Sequence, residues 1–276
     1  MGAVPLGTGQ TIAQDLLKIL FGSFPDAKAK DGVWEVASAF SGGLDSTVLT
    51  AAAMKRFGPS ISIAPVVVGL PGSNDLRAAA TAAEELGLGL ELEEVVLRPE
   101  EVLDAVPAVV AHTGSKDPVV LSFTMPLYFV LKEQGPREVL VGHGGDELFG
   151  GYARYEKLLP TQLQAHLDAD LDIALSRVEM DRRMARSMKR EIVTPFLEPK
   201  FIDKVKALPP ELKVSGGERK VALRMMARAL GLSEKLSVQK KTAAQYGSGI
   251  MKFLKSEAKR RGFSRVAELV EDLTKK

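Results

Sequence analysis

The chain is 276 residues long, 45% hydrophobic and 26% charged, with a formal net charge of +2 at pH 7 and no cysteine. That composition excludes disordered, fibrous and disulfide-stapled classes. The lack of Cys also removes thiolate zinc sites, a thiol nucleophile for glutamine hydrolysis and persulfide sulfur transfer from this chain. Charge is unevenly spread: residues 1–181 hold 13 Lys/Arg against 25 Asp/Glu, whereas residues 182–276 hold 24 against 10. A basic final third reads as a solvated helical face, a subunit-docking surface, an anion-attracting wall or a nucleic-acid footprint.

The longest apolar run, 119–131, carries Ser122, Thr124 and Pro126 and is too short to cross a bilayer. No basic-then-apolar leader opens the sequence, and Leu6 stands where a myristoylation motif needs Ser or Thr. A cytoplasmic protein with no membrane partner is expected.

Residues 11–20 read as an amphipathic helix with Thr11 as its N-cap. Strands and helices then alternate: a strand over 33–40, a helix over 46–57, a strand over 61–68, a helix over 74–86 and a third strand over 90–97. Helices over 100–111 and 118–133 lead to a short strand over 138–141. This alternation predicts βαβ units, hence an α/β fold with a parallel sheet and helices on both faces. Beyond about residue 152 strand signals nearly vanish. Segments 161–190, 199–207, 217–230 and 248–260 read as helices, separated by Pro195, Pro199, Pro209-Pro210 and Gly216-Gly217. The expected organisation is a helical extension over 1–30, an α/β domain over 31–155 and a smaller helical region over 156–276 that completes the active site. Ligands of parallel sheets bind outside the carboxyl ends of the strands. Loops 41–46, 69–75 and 142–151 all fall at that edge.

The loop 41–46 reads Ser-Gly-Gly-Leu-Asp-Ser between a strand and a helix. The first amides of that helix have no internal partner and point outward with the positive end of the dipole. Gly42 and Gly43 let phosphate oxygens approach those amides, and Ser41 and Ser46 add hydroxyl donors. Asp45 would repel phosphate unless a divalent cation lies between them, so the loop predicts nucleotide phosphate together with Mg²⁺. A plain turn capping a helix is the simpler alternative. The Gly-Lys-Ser/Thr ending of a Walker loop is absent, so γ-phosphate chemistry is not indicated.

Residues 66–76, Val-Val-Val-Gly-Leu-Pro-Gly-Ser-Asn-Asp-Leu, form a tight turn at the end of the second strand. Residues 140–155 read Leu-Val-Gly-His-Gly-Gly-Asp-Glu-Leu-Phe-Gly-Gly-Tyr-Ala-Arg-Tyr. So many glycines are costly to order and mark a place of close approach. Asp146 is positioned to be the second carboxylate on the ion held by Asp45, in a site that waters and phosphate oxygens complete. His143 is flanked by glycines, and a histidine there can act as a general base. His112 and His166 lack such context, and no zinc site is expected.

Together, Ser41–Ser46, Val68–Leu76 and Gly142–Tyr155 resemble the synthetase domain of asparagine synthetase, within the N-type ATP pyrophosphatases (the PP-loop superfamily). The resemblance continues through Asp181-Arg182-Arg183-Met184-Ala185, Thr194-Pro195-Phe196-Leu197-Glu198 and Lys240-Lys241-Thr242-Ala243, covering roughly residues 30–255. It implies an adenine-nucleotide α-hydrolase-like fold and a ligase that uses ATP and Mg²⁺. A carboxylate attacks the α-phosphorus, pyrophosphate leaves, and ammonia or another amine displaces AMP. By position, Ser41, Gly42, Gly43 and Ser46 would hold pyrophosphate, Asp45 and Asp146 the metal, and Val68 and Gly69 the adenine edge. Gly142 would line the nucleotide pocket. Lys241, or Lys240 if the register slips by one, would neutralise the leaving pyrophosphate.

Three positions depart from the family pattern. Only about 30 residues precede the first strand, so nitrogen is expected from free ammonia, from a separate glutaminase subunit, or not at all. His143 replaces a glutamate thought to meet the substrate amine, and a histidine cannot pair with an α-ammonium as a carboxylate does. The family's Glu-x-Arg before Pro-Phe-Leu is here Glu191-Ile192-Val193, so an arginine is missing. The expected partners are a small-molecule carboxylate and ammonia or an amine, in a homo-oligomer. The alternatives are the same adenylating chemistry in a lactam or other small-molecule amide synthetase or an RNA-binding, tRNA-modifying ligase, and a non-catalytic nucleotide-binding subunit.

Overall fold

The structure, a computed structural model, describes residues 6–26, 32–237 and 247–275. Five parallel strands form one sheet in the order β3-β2-β1-β4-β5. They are β1 (Trp34–Ala39), β2 (Ile61–Gly69), β3 (Glu93–Val96), β4 (Glu138–Leu140) and β5 (Glu191–Val193). The chain winds outward from β1 to β3, then returns to lay β4 on the other side of β1. That reversal puts the topological switch point between β1 and β4, where loops after the two strands diverge and leave a crevice.

Helix α1 (Leu6–Phe21) precedes the sheet. The crossovers carry α2 (Leu44–Phe57), α3 (Asn74–Glu85), α4 (Pro99–Thr113), α5 (Pro118–Lys132), the short α6 (Gly145–Phe149) and the long α7 (Pro160–Ser187). After β5 come α8 (Pro199–Lys206), a hairpin of β6 (Val214–Ser215) and β7 (Glu218–Arg219), α9 (Val221–Ala229) and α10 (Glu234–Ser237). Two further helices, α11 (Ile250–Arg260) and α12 (Val266–Leu273), close the described chain. Val36, Ala37 and Ser38 of β1 are all buried, so both faces of the sheet are covered, as a central parallel strand requires. The one buried hydroxyl of that trio is satisfied, Ser38 Oγ lying 2.9 Å from Thr50 Oγ1. One apolar cluster runs from Leu16 on α1 to Val270 on α12. Among the described residues no helix is long and apolar enough to cross a membrane.

Several elements differ from the sequence expectation, α10 and α12 among them as helices that were not expected. Helix α1 begins at Leu6, which puts Thr11 inside the helix rather than at its N-cap. Gly7 and Gly9 argue against helix locally, but α1 packs along α9, and a Cβ on Gly9 would lie 3.6 Å from Met225 Cε; packing overrides propensity there. Strand β3 is only four residues long, at the sheet edge, with Leu90 exposed before it. β5 was hidden because three residues between a helix and Pro195 are too few to show a period. The stretch read as one helix over 217–230 is instead the β6–β7 hairpin followed by α9. Its turn is Gly216-Gly217, with φ of 58° and 78°, the left-handed pair a two-residue hairpin needs.

Candidate active site

The loop 41–46 follows β1 and runs into α2, whose N-cap is Gly43. Gly42 has φ +67°, and a Cβ there would fall 2.2 Å from the carbonyl carbon of Ala78, so only glycine lets this loop lie on the backbone of α3. The loop is held by its own hydroxyls. Ser46 Oγ donates to the Gly43 carbonyl at 3.1 Å, and Ser41 Oγ lies 3.4 Å from Ser46 Oγ. Buried hydroxyls at this edge, those of Thr47 and Ser73, have no partner among the described residues. Buried polar groups are usually satisfied, and such exceptions suit a ligand.

Across the crevice, the loop after β4 is built to touch this one. A Cβ on Gly142 would sit 3.3 Å from Asp45 Cβ, and one on Gly145 2.6 Å from Asp45 Cγ. The glycines therefore serve close approach, and they bring Asp45 and Asp146 to a single point. Lys220 occupies it. Its ammonium donates to Asp45 Oδ1 and Oδ2 at 2.5 and 2.6 Å and lies 2.7 Å from Asp146 Oδ1. Two carboxylates from separate loops thus already share one cation position, which is the arrangement a divalent ion between them and phosphate would use.

Lys220 was not singled out from the sequence, where it lay inside a supposed helix. It is 3% exposed and has φ +59° at the N-cap of α9, straight after the hairpin. The hairpin is locked beneath the glycine loop. Arg219 Nη1 donates to the Gly151 carbonyl at 2.6 Å, and its Nε pairs with Glu156 at 2.7 Å. Gly150 and Gly151 admit this approach: a Cβ on Gly150 would meet Val214 Cγ2 at 2.6 Å, and one on Gly151 would meet Asp146 Oδ1 at 1.9 Å and Lys220 Cε at 2.4 Å. Beside it, Tyr152 donates to the buried Glu147 at 2.5 Å. Burial first, then the Glu147 and Asp146 charges, push the Tyr152 phenol well above its ordinary range, so it remains a donor. The only sequence signal for Lys220 was its place just after Gly216-Gly217.

His143 also lies at this edge. Its Nε2 is buried and 3.1 Å from Asp181 Oδ2 on α7, without the alignment of a full hydrogen bond. Asp181 is 6% exposed. The next residue, Arg182, donates to Thr194 Oγ1 at 3.1 Å, at the end of β5. From the sequence Asp181 stood only as part of a motif, because α7 meets the β4 loop through tertiary packing.

Val68 and Gly69 end β2. The Val68 side chain is 4% exposed and belongs to the core, so it does not project from this edge. Leu70 N donates to the Ser248 carbonyl at 2.9 Å, and a Cβ on Gly247 would fall 2.0 Å from Asp75 Oδ1. Lys240 and Lys241 lie outside the described residues. Ser41, Gly42, Gly43, Asp45, Ser46, Gly142, His143 and Asp146 are brought together around the switch point, with Val68 and Gly69 on the β2 side of the same edge.

A five-stranded parallel sheet flanked by helices, with a Ser-Gly loop at its switch point, defines an α/β fold of the adenine-nucleotide α-hydrolase-like class. The sequence matches the asparagine synthase family over residues 30–190 and 172–272, and the chain belongs to that family. It is 30% identical over 193 residues to asparagine synthetase B (glutamine-hydrolyzing) of Escherichia coli K12, covering 64% of this chain and 34% of that protein. It is 31% identical over 209 residues to a glutamine-hydrolyzing asparagine synthetase of Brassica oleracea, covering 70% and 35%. With a putative glutamine-hydrolyzing asparagine synthetase of Methanocaldococcus jannaschii it shares 27% over 287 residues, covering 89% and 52%. The chain thus spans about a third to a half of the length of these relatives.

Proposed function

We propose that this chain adenylates a carboxylate with ATP and joins it to ammonia or another amine as an amide, releasing pyrophosphate and then AMP. The convergence of Asp45, Asp146 and Lys220 beside the amides of the 41–46 loop carries this reading. A carboxylate oxygen of the acceptor attacks the α-phosphorus, the bond to the bridging oxygen of the β-phosphate breaks, and pyrophosphate leaves. Mg²⁺ would be held by Asp45 and Asp146 and would neutralise charge on the leaving group. Gly42 and Gly43 leave amides open to the phosphates, Ser41 and Ser46 add donors, and Lys220 supplies a cation where charge develops. Lys241 or Lys240 is proposed as a further clamp on the leaving group, with Val68, Gly69 and Gly142 along the nucleoside. In the second step the amine attacks the acyl carbon and AMP departs. His143, with Asp181 behind it, takes the proton the amine gives up.

Aspartate with ammonia is the first substrate pair to test. A second reading keeps the chemistry and changes the acceptor: by the resemblance His143 stands where the family has a glutamate, and an imidazole there, in contact with Asp181, favours a carboxylate lacking an α-ammonium. Phosphorus NMR of the protein with ATP, Mg²⁺, aspartate and ammonium, each omitted in turn, separates the two. AMP and pyrophosphate only with all four present support the asparagine-forming reading. AMP and pyrophosphate without aspartate, or only with another carboxylic acid, support the second. No α–β cleavage under any condition refutes both.

A further inference from the structure

We propose that Lys220 closes the Asp45–Asp146 pair to free divalent metal, so that the metal enters only together with phosphate, which takes over the ammonium. The proposal rests on the reading of these two carboxylates as the metal pair. The ammonium and a divalent ion compete for the same oxygens, since Nζ lies within 2.5–2.7 Å of Asp45 Oδ1, Asp45 Oδ2 and Asp146 Oδ1. Both cannot sit there, because like charges at that separation repel strongly in a partly buried site.

Lys220 has little freedom to leave for water. It is 3% exposed, its backbone is fixed at φ +59°, and its stem passes so near Gly151 that a Cβ there would lie 2.4 Å from Lys220 Cε. Expelling a buried ammonium from its carboxylates with nothing to receive it is strongly unfavourable. A divalent ion added alone would place a second cation beside the Lys220 ammonium, and pyrophosphate supplies the anion that offsets it. Asp45 sits two residues beyond Gly43, so an anion on the loop amides lies beside the oxygens that Nζ now holds. A rotation of the Lys220 side chain would pass the ammonium from carboxylate to phosphate while the metal takes its place. Metal and phosphate then bind with positive coupling, and by linkage each raises the affinity of the other by the same factor.

Electron paramagnetic resonance of Mn²⁺ titrated into the full chain, with and without inorganic pyrophosphate, tests this without turnover. The wild type should bind Mn²⁺ at least tenfold more tightly with pyrophosphate present. Lys220→Met should bind Mn²⁺ alone at least tenfold more tightly than the wild type does alone, and should lose most of the pyrophosphate coupling. Asp45→Asn should remove tight Mn²⁺ binding under both conditions. Equal Mn²⁺ affinity of the wild type with and without pyrophosphate, or no gain in Lys220→Met, overturns the gate and leaves the metal pair standing. Tight Mn²⁺ binding retained in Asp45→Asn overturns the metal pair itself. If Lys220→Met fails to fold, judged by circular dichroism, Lys220→Gln replaces it, and the wild-type comparison decides on its own.

Discussion

Alanine at Gly42 and alanine at Gly43 should have opposite consequences although the residues are neighbours. Gly42 has φ +67°, and its Cβ would fall 2.2–2.3 Å from three backbone atoms of Ala78 and Ala79. No rotamer relieves a clash with main chain, so either α3 or the loop must move by more than 1 Å. Holding alanine in the left-handed region costs roughly 1–2 kcal/mol, and overpacking adds roughly 1–3 kcal/mol. Gly42→Ala should therefore lose about 2–5 kcal/mol, or at least ~5 °C of Tm for a chain of this size. Gly43 has φ −72° and ψ 160°, and its Cβ would meet only Ser41 Oγ, at 3.3 Å, a side chain free to rotate. Gly43→Ala should stay within about 1 kcal/mol of the wild type. It would nevertheless put a methyl group in the path of a phosphate, and should weaken Mg²⁺-pyrophosphate binding about tenfold or more. Urea unfolding and isothermal titration with Mg²⁺ and pyrophosphate read the two effects separately. A Gly42→Ala protein as stable as the wild type refutes the packing argument, and full pyrophosphate affinity in Gly43→Ala refutes the amide cradle.

Asp45→Ala and Asp146→Ala should each lower Mg²⁺-dependent pyrophosphate formation by about 10³-fold or more, read by phosphorus NMR; full activity in either variant sinks the two-carboxylate site. His143→Glu should raise aspartate- and ammonium-dependent AMP formation if this residue alone sets the acceptor, and no change would locate the specificity elsewhere in the pocket. Lys213 is 1% exposed beneath the hairpin, where burial pushes its ammonium down to about 8 from an ordinary 10.5. Between those values the unfolded chain binds more protons, so wild-type stability should rise with pH over that window, with a ceiling of roughly 3 kcal/mol. Urea unfolding at pH 7, 9 and 10 should show a flatter profile in Lys213→Met; identical profiles would refute the buried charge. Glu257, held down to about 2 by hydrogen bonds from Arg260 and Arg261, contributes stability above its ordinary 4.5 that is lost as pH falls toward 2. Glu257→Gln should flatten that acid limb in thermal unfolding.

The sequence by itself determined the alternating elements as far as β4, the parallel sheet and the place of the Ser-Gly turn between β1 and α2. Each is written locally, in runs such as 61–68 long enough to show their period and in the Ser-Gly-Gly-Leu-Asp-Ser turn, whose chemistry follows from its own amides and side chains. It also paired Asp45 with Asp146, because a carboxylate beside phosphate needs a cation and a second ligand for it. Only the tertiary structure decided β5, whose three residues carry no period and gain their partners from β4. The same is true of Lys220 and Asp181. Each lies far along the chain from the residue it meets, Asp45 and His143 respectively, and neither the motif around Asp181 nor the Gly216-Gly217 pair before Lys220 says what it meets. What brings Lys220 in is the Gly216-Gly217 hairpin seated against Gly150 and Gly151, and what brings Asp181 in is the packing of α7 beside the β4 loop. Such contacts depend on how whole elements bury their apolar faces, so they become readable only once the chain is folded.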